Sequence, residues 1–214
     1  LTNKTLTDAV AITNSVTGEI VPGKLAGTNF TNSLLVGHTT TGTLNAAERN
    51  TGIGIGALDS ITSGDDNTAL GYNAGTNMAV GVKSTYIGSQ AGENNSGNYN
   101  TNIGQYAGRS PSHGSVNIGY QAGYQSTGSY NISVGNQSAA NLTSGAGNVT
   151  IGLANVNSAT GDRQLKIAGN DGSTTTTWIS GDSSGNVTVG GTLTTSSGAV
   201  AAQADVTALA IALG

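Results

Sequence analysis

Apolar residues in this chain recur as short bursts at a fixed interval rather than as the i, i+3, i+4 stripe of a helix. Anchored on a glycine that follows an apolar residue, the bursts fall at Val36-Gly37, Ile53-Gly54, Leu70-Gly71, Ile87-Gly88, Ile103-Gly104, Ile118-Gly119, Val134-Gly135 and Ile151-Gly152. Their separations are 17, 17, 17, 16, 15, 16 and 17 residues. Three positions before each glycine stand Leu34, Thr51, Thr68, Thr85, Thr101, Val116, Ile132 and Val149, all but the first β-branched. One position earlier, Ser33, Asn50, Asn67, Ser84, Asn100, Ser115, Asn131 and Asn148 are short polar residues suited to turns. Each unit therefore predicts a turn residue, a short strand with alternate apolar positions, and a glycine where the chain bends or another backbone comes close.

A unit of about 16 residues has room for two short strands and two turns, one coil of a β-solenoid. At roughly 4.8 Å per coil, eight coils give a rod near 40 Å long. Four units continue with Ala74-Gly75, Ala91-Gly92, Ala107-Gly108 and Ala122-Gly123, and Ala57 holds the same place earlier. Small residues at a fixed register imply tight packing, and this alanine ladder is expected to face a symmetry axis between identical chains. The threonines share strand parity with the apolar residue before glycine, so both are expected to point inward. That parity argues against ice binding, which needs an outward threonine ladder. The V-G step at Val80-Gly81 mimics the motif at the wrong spacing, so the register is least defined there.

At N-T-x-I-G-x-x-A-G, residues 33 to 156 resemble the head repeats of YadA-like trimeric adhesins and related repeats of bacteriophage tail fibres. The resemblance implies three chains wound as parallel left-handed β-rolls about a common axis. Ser138-Ala139 and Ala154-Asn155 replace Ala-Gly in the last two units. The opening LTNKTLTDAV is similar to segments that precede tail-fibre shaft modules, and residues 163 to 193 are similar to a β module that follows such repeats. The expected organisation is an N-terminal β or linker module over 1–32, β-roll repeats over 33–156, a small β module over 157–193, and a short helix or interchain strand over 194–214. Within the third segment, alternation at Leu165 and Ile167 and at Val187 and Val189 reads as a small antiparallel sheet.

Composition sets the limits. The chain has 214 residues with 34 Gly, no Cys, 8% charged side chains and a net charge of -4. So few apolar residues require repetition or partner chains to bury enough surface. Seven Lys plus Arg, scattered singly, form no basic stripe for phosphates or lipid headgroups, so neither nucleic acid nor membrane insertion is expected. The start lacks the apolar core of a signal peptide. The chain opens on Leu1 rather than Met, as expected of a processed product or a segment of something longer.

No nucleophile, base and orienting group can be assembled from spacing, so no enzyme and no cofactor are expected. Asp65-Asp66, the one adjacent carboxylate pair, lies in a loop sequence. His38 and His113 are weak metal candidates, through threefold apposition about an axis; the competing reading is a histidine in a surface turn. Asp182-Ser-Ser-Gly-Asn186 reads as a turn rather than a calcium loop. Tyr72, Tyr106, Tyr120 and Tyr124 could meet sugars or a surface protein, or pack on adjacent coils. The expected function is a homotrimeric fibre segment of a phage virion, joined to other fibre or virion proteins and attaching to a glycan or protein receptor on the host. A bacterial surface adhesin head and a purely structural extracellular filament are the rivals.

Overall fold

A computed structural model describes residues 12–13, 20–21, 23–38, 40–192, 194–195 and 198–199. The opening decapeptide and the stretch expected to end as a helix or interchain strand lie outside the described residues, apart from the few named below. Among the described residues the protein is all-β, with no helix long and apolar enough to cross a membrane.

Two short pairs stand apart: β1 (Ile12–Thr13) with β2 (Ile20–Val21), and β16 (Thr194–Thr195) with β17 (Gly198–Ala199). Everything between belongs to one 13-stranded sheet. It opens with an antiparallel hairpin of β3 (Gly23–Gly27) and β4 (Phe30–Val36), with β5 (Ala47–Glu48) at the side of β4. The repeat strands follow: β6 (Thr51–Ile53), β7 (Thr68–Leu70), β8 (Thr85–Ile87), β9 (Thr101–Ile103), β10 (Val116–Ile118), β11 (Ile132–Val134) and β12 (Val149–Ile151). Each pairs in parallel with the next in the register that the glycine spacing predicts, as in Thr51↔Thr68 and Ile103↔Ile118. The result is a β-solenoid of about eight turns.

The sheet crosses two of the three expected segment borders, those at 32/33 and 156/157. Strand β13 (Leu165–Asn170) adds one more parallel rung to β12 before β14 (Thr175–Gly181) and β15 (Val187–Val189) close the end antiparallel. The far side of each coil is bonded as well, without regular strands. Gly75, Gly92 and Gly108 donate their N–H groups to the carbonyls of Ala91, Ala107 and Ala122, each at 2.9 Å.

Two expectations about direction are overturned. The middle residue of each strand faces the coil interior: Leu35, Gly52, Ala69, Tyr86, Asn102, Asn117, Ser133 and Thr150 are all buried. The flanking threonine and isoleucine positions therefore point out of the coil. Leu70 is 46% exposed and Ile151 41%. The alanine ladder faces the coil's own interior rather than an axis between chains, since Ala57, Ala74, Ala91, Ala107 and Ala122 are 0% exposed. The physical reason is size: a 15- to 17-residue coil encloses too narrow a space for two branched side chains per strand, so small residues line it. Where one large ring enters, room is made for it. A methyl group on Gly92 would lie 2.4 Å from the Tyr86 ring.

The V-G step at Val80-Gly81 also has a place. Gly81 stacks between Gly64 and Gly97 in a second small-residue ladder, continued by Ser112, Gly128, Gly145 and Gly161. It runs beside the first with nearly the same spacing.

The interior is not uniformly apolar. Phe30, Leu35, Leu58, Ile61, Met78 and Tyr86 anchor one hydrophobic cluster, and Ala139, Leu142 and Val156 a smaller one. Between them Asn95, Asn102, Ser112 and Asn117 are buried. The polar residue that opens each strand is buried too, and forms a hydrogen-bonded ladder. Asn67 donates from Nδ2 to the Gly81 carbonyl at 2.8 Å and to Asn50 Oδ1 at 3.0 Å, while its Oδ1 accepts the Ser84 N–H at 2.9 Å. Asn131 and Asn148 repeat this arrangement. Both side chains are buried and hydrogen-bonded inside the coil, so Asn131-Ile-Ser and Asn148-Val-Thr, although they match the Asn-x-Ser/Thr acceptor pattern, are closed to glycosylation in the folded chain.

Candidate functional site

One surface of the rod carries an unbroken apolar row. Reading across neighbouring strands, Val36, Ile53, Leu70, Ile87, Ile103, Ile118, Val134, Ile151, Ile167, Ile179 and Val189 form one row. Beside it runs Leu34, Thr51, Thr68, Thr85, Thr101, Val116, Ile132, Val149 and Leu165. Exposed large apolar residues normally occur singly; an unbroken row of this length marks a surface that meets something.

A corner of the coil carries the tyrosines. The second residue after five successive repeat glycines, Gly71 to Gly135, sits in the left-handed region: Asn73, Gln90, Tyr106, Gln121 and Gln137 have φ between 50° and 60°. Gln90 bonds the Tyr72 carbonyl, Tyr106 that of Ser89, Gln121 that of Gln105 and Gln137 that of Tyr120, so these residues form one row up the rod. Tyr106 lies edge-on to Tyr120 with ring centroids 6.5 Å apart and to Tyr124 at 5.9 Å. Arg109 Nη1 donates to the Tyr124 hydroxyl at 2.9 Å and its guanidinium lies over that ring, 5.6 Å from the centroid. Glu93 bonds Arg109 at 2.5 Å and holds its guanidinium more firmly protonated than usual. Three of the four tyrosines singled out by sequence thus meet. Tyr72, 54% exposed, shares the row of Ser89, Gln105 and Tyr120 but sits three coils below Tyr120.

Up the rod, Gln137 Nε2 donates to Gln121 Oε1 at 3.1 Å. Gln137 then opens a pocket of about 460 Å³ where the last coil meets β13 and β14, lined also by Ala140, Leu153, Asn155, Lys166 and Thr177. Lys166 Nζ donates to Asn157 Oδ1 at 2.9 Å.

The remaining candidates are engaged in structure. Asp65 Oδ1 accepts the Glu48 N–H at 2.8 Å, and Asp66 receives Arg49 through both oxygens, which lowers its pKa below the usual carboxylate range. Asp182 accepts the Asn186 side-chain amide and the Ser184 and Asn186 N–H groups, which lower its pKa and close the expected turn. His38 Nε2 sits 2.7 Å from the Ala57 carbonyl and its Nδ1 3.6 Å from Asp59. His113 Nδ1, five coils away, accepts the Asn98 N–H at 3.1 Å. Among the described residues no three His, Cys, Asp or Glu side chains gather as a metal site.

Compared with family models, curated proteins and solved structures, the chain matches none of them.

Proposed function

We propose that this protein is a segment of a homotrimeric fibre, most simply a bacteriophage tail fibre that carries and contributes to attachment at the host surface. The observation that carries the assembly is the apolar row running the whole length of the solenoid. A second and third copy of the same chain, presenting the same face around a common axis, cover it rung for rung, because every rung rises by the same strand spacing. The left-handed winding and the attachment role rest on the N-T-x-I-G-x-x-A-G resemblance. An adhesin head of a bacterial surface would use the same roll, and a structural filament would join such rods end to end.

Ice binding returns as a second reading, because the parity argument against it fails once the threonines are seen to point outward. Thr51, Thr68, Thr85 and Thr101 form an outward column, but Val116, Ile132 and Val149 continue it as an apolar one. A face that turns apolar along its length suits burial better than a water lattice.

Light scattering after size exclusion separates these readings. A mass three times the 21.0 kDa chain is expected from an elongated particle, and Ile103→Asp is expected to give folded monomers with unchanged far-ultraviolet dichroism. A compact wild-type monomer with thermal hysteresis would overturn the fibre in favour of ice binding.

A further inference from the structure

We infer that the corner of the coil from Tyr106 to Lys166 is an elongated oligosaccharide-binding site. The inference rests on the attachment reading above and gives it a ligand class. Three observations converge on one strip of surface. Tyr120, 42% exposed, stands edge-on to Tyr106, so its ring is held in place and leaves aromatic area for the apolar face of a sugar ring. Gln121 and Gln137 follow on successive coils, joined amide to amide, and each such group offers both a donor and an acceptor to hydroxyls. The strip then deepens into the 460 Å³ pocket, in the range of small-ligand sites, where Leu153 supplies an apolar wall among Asn155, Thr177 and Lys166.

Charge narrows the occupant. Arg109 is already paired with Glu93 and stacked on Tyr124, so the strip's charge is balanced at its aromatic end. Lys166 is the remaining cation of the strip, at the pocket end. A peptide partner of equal length would bring backbone groups that need a strand edge or fixed pockets, and this strip is a row of side chains across coil corners. An aromatic platform followed by two amides on successive coils, each coil rising about 4.8 Å, and then by a mixed apolar and polar pocket, suits an extended hydroxyl-rich chain, with any carboxylate toward Lys166.

The test uses the intact assembled protein on an array of immobilised neutral and uronic-acid oligosaccharides. Binding to at least one is expected, weakened roughly tenfold by Tyr120→Ala and by Gln137→Ala, and retained by Tyr120→Phe and by the distant Tyr72→Ala. Lys166→Ala is expected to weaken the acidic members more than the neutral ones. No binding to either class, or binding indifferent to both Tyr120→Ala and Gln137→Ala in variants with wild-type melting curves, would overturn the site. A bacterial-cell adsorption assay keeps the two readings apart. Particles that adsorb to cells regardless of the Tyr120 and Gln137 changes would sink the saccharide site and leave attachment standing; array binding without adsorption to any cell would do the reverse.

Discussion

Replacing Asn67 with Ala is expected to be among the most damaging single changes to this protein, although it removes only one small polar side chain. The Asn67 amide supplies the partner of two groups sealed inside the coil, the Gly81 carbonyl at 2.8 Å and the Ser84 N–H at 2.9 Å, and it links to Asn50 Oδ1 at 3.0 Å. Asn50 Oδ1 keeps a second partner, the Asn67 N–H, so it is spared. Two buried backbone groups are left without partners. At about 1–3 kcal/mol each, the loss comes to roughly 4 kcal/mol. Guanidinium unfolding followed by circular dichroism measures it. Asn77→Ala is the control: Asn77 is exposed and pairs only side chain to side chain with Asn94, so its loss should stay within about 0.5 kcal/mol. Asn67→Ser should recover part of the stability, since Ser84 fills an equivalent rung and accepts the Asn100 N–H through its hydroxyl. A loss below about 1 kcal/mol for Asn67→Ala would refute the claim that the polar ladder holds the coils in register.

Three further outcomes follow from the interior. Thr150 Oγ1 is buried without a partner, so Thr150→Val should raise stability by about 1 kcal/mol in the same unfolding assay. Gly104 has φ of +127° and an added Cβ would lie 2.5 Å from the Gly119 carbonyl oxygen, so Gly104→Ala should cost roughly 2–4 kcal/mol, read as a lowered melting temperature. Burial pushes the Tyr86 hydroxyl pKa up to about 12. An unfolded tyrosine ionises near 10, so between those values the unfolded chain loses a proton that the native chain keeps. Stability should therefore be intact below pH ~10 and fall by about 3 kcal/mol towards pH ~12; Tyr86→Phe should remove that dependence in an alkaline unfolding series.

Much of the scaffold was legible in the chain. The glycine spacing set the strand triplets and their pairing, because a parallel ladder of short rungs converts sequence period directly into register. Direction is not legible, because the general rule that apolar residues seek the interior points the wrong way in so narrow a coil. Here the coil is so narrow that Gly52, Ala69 and Ser133 fill it while Ile53, Leu70 and Val134 face out. The second ladder, Gly64, Gly81, Gly97, Gly128, Gly145 and Gly161, was present in the sequence at matching intervals, but Ser112 interrupts it and hid the period. The tyrosine cluster was half legible. Tyr106, Tyr120 and Tyr124 are 14 and 18 residues apart, near the coil length and so near one another in space; the pocket was not, since it forms only where β14 folds back beside the last coil.

The inter-coil hydrogen bonds run parallel to the rod, and β3 and β15 lie at opposite ends of the sheet. A pull applied along the axis at those ends therefore loads the rungs one at a time, like a zip, instead of shearing all of them together. Each coil that yields would release about 16 residues, which at roughly 3.4 Å per residue less the coil's own rise gives about 50 Å of slack. The same chain would then act as a stiff strut at rest and as a stepwise shock absorber under tension, with the steps counted directly on a force-extension trace.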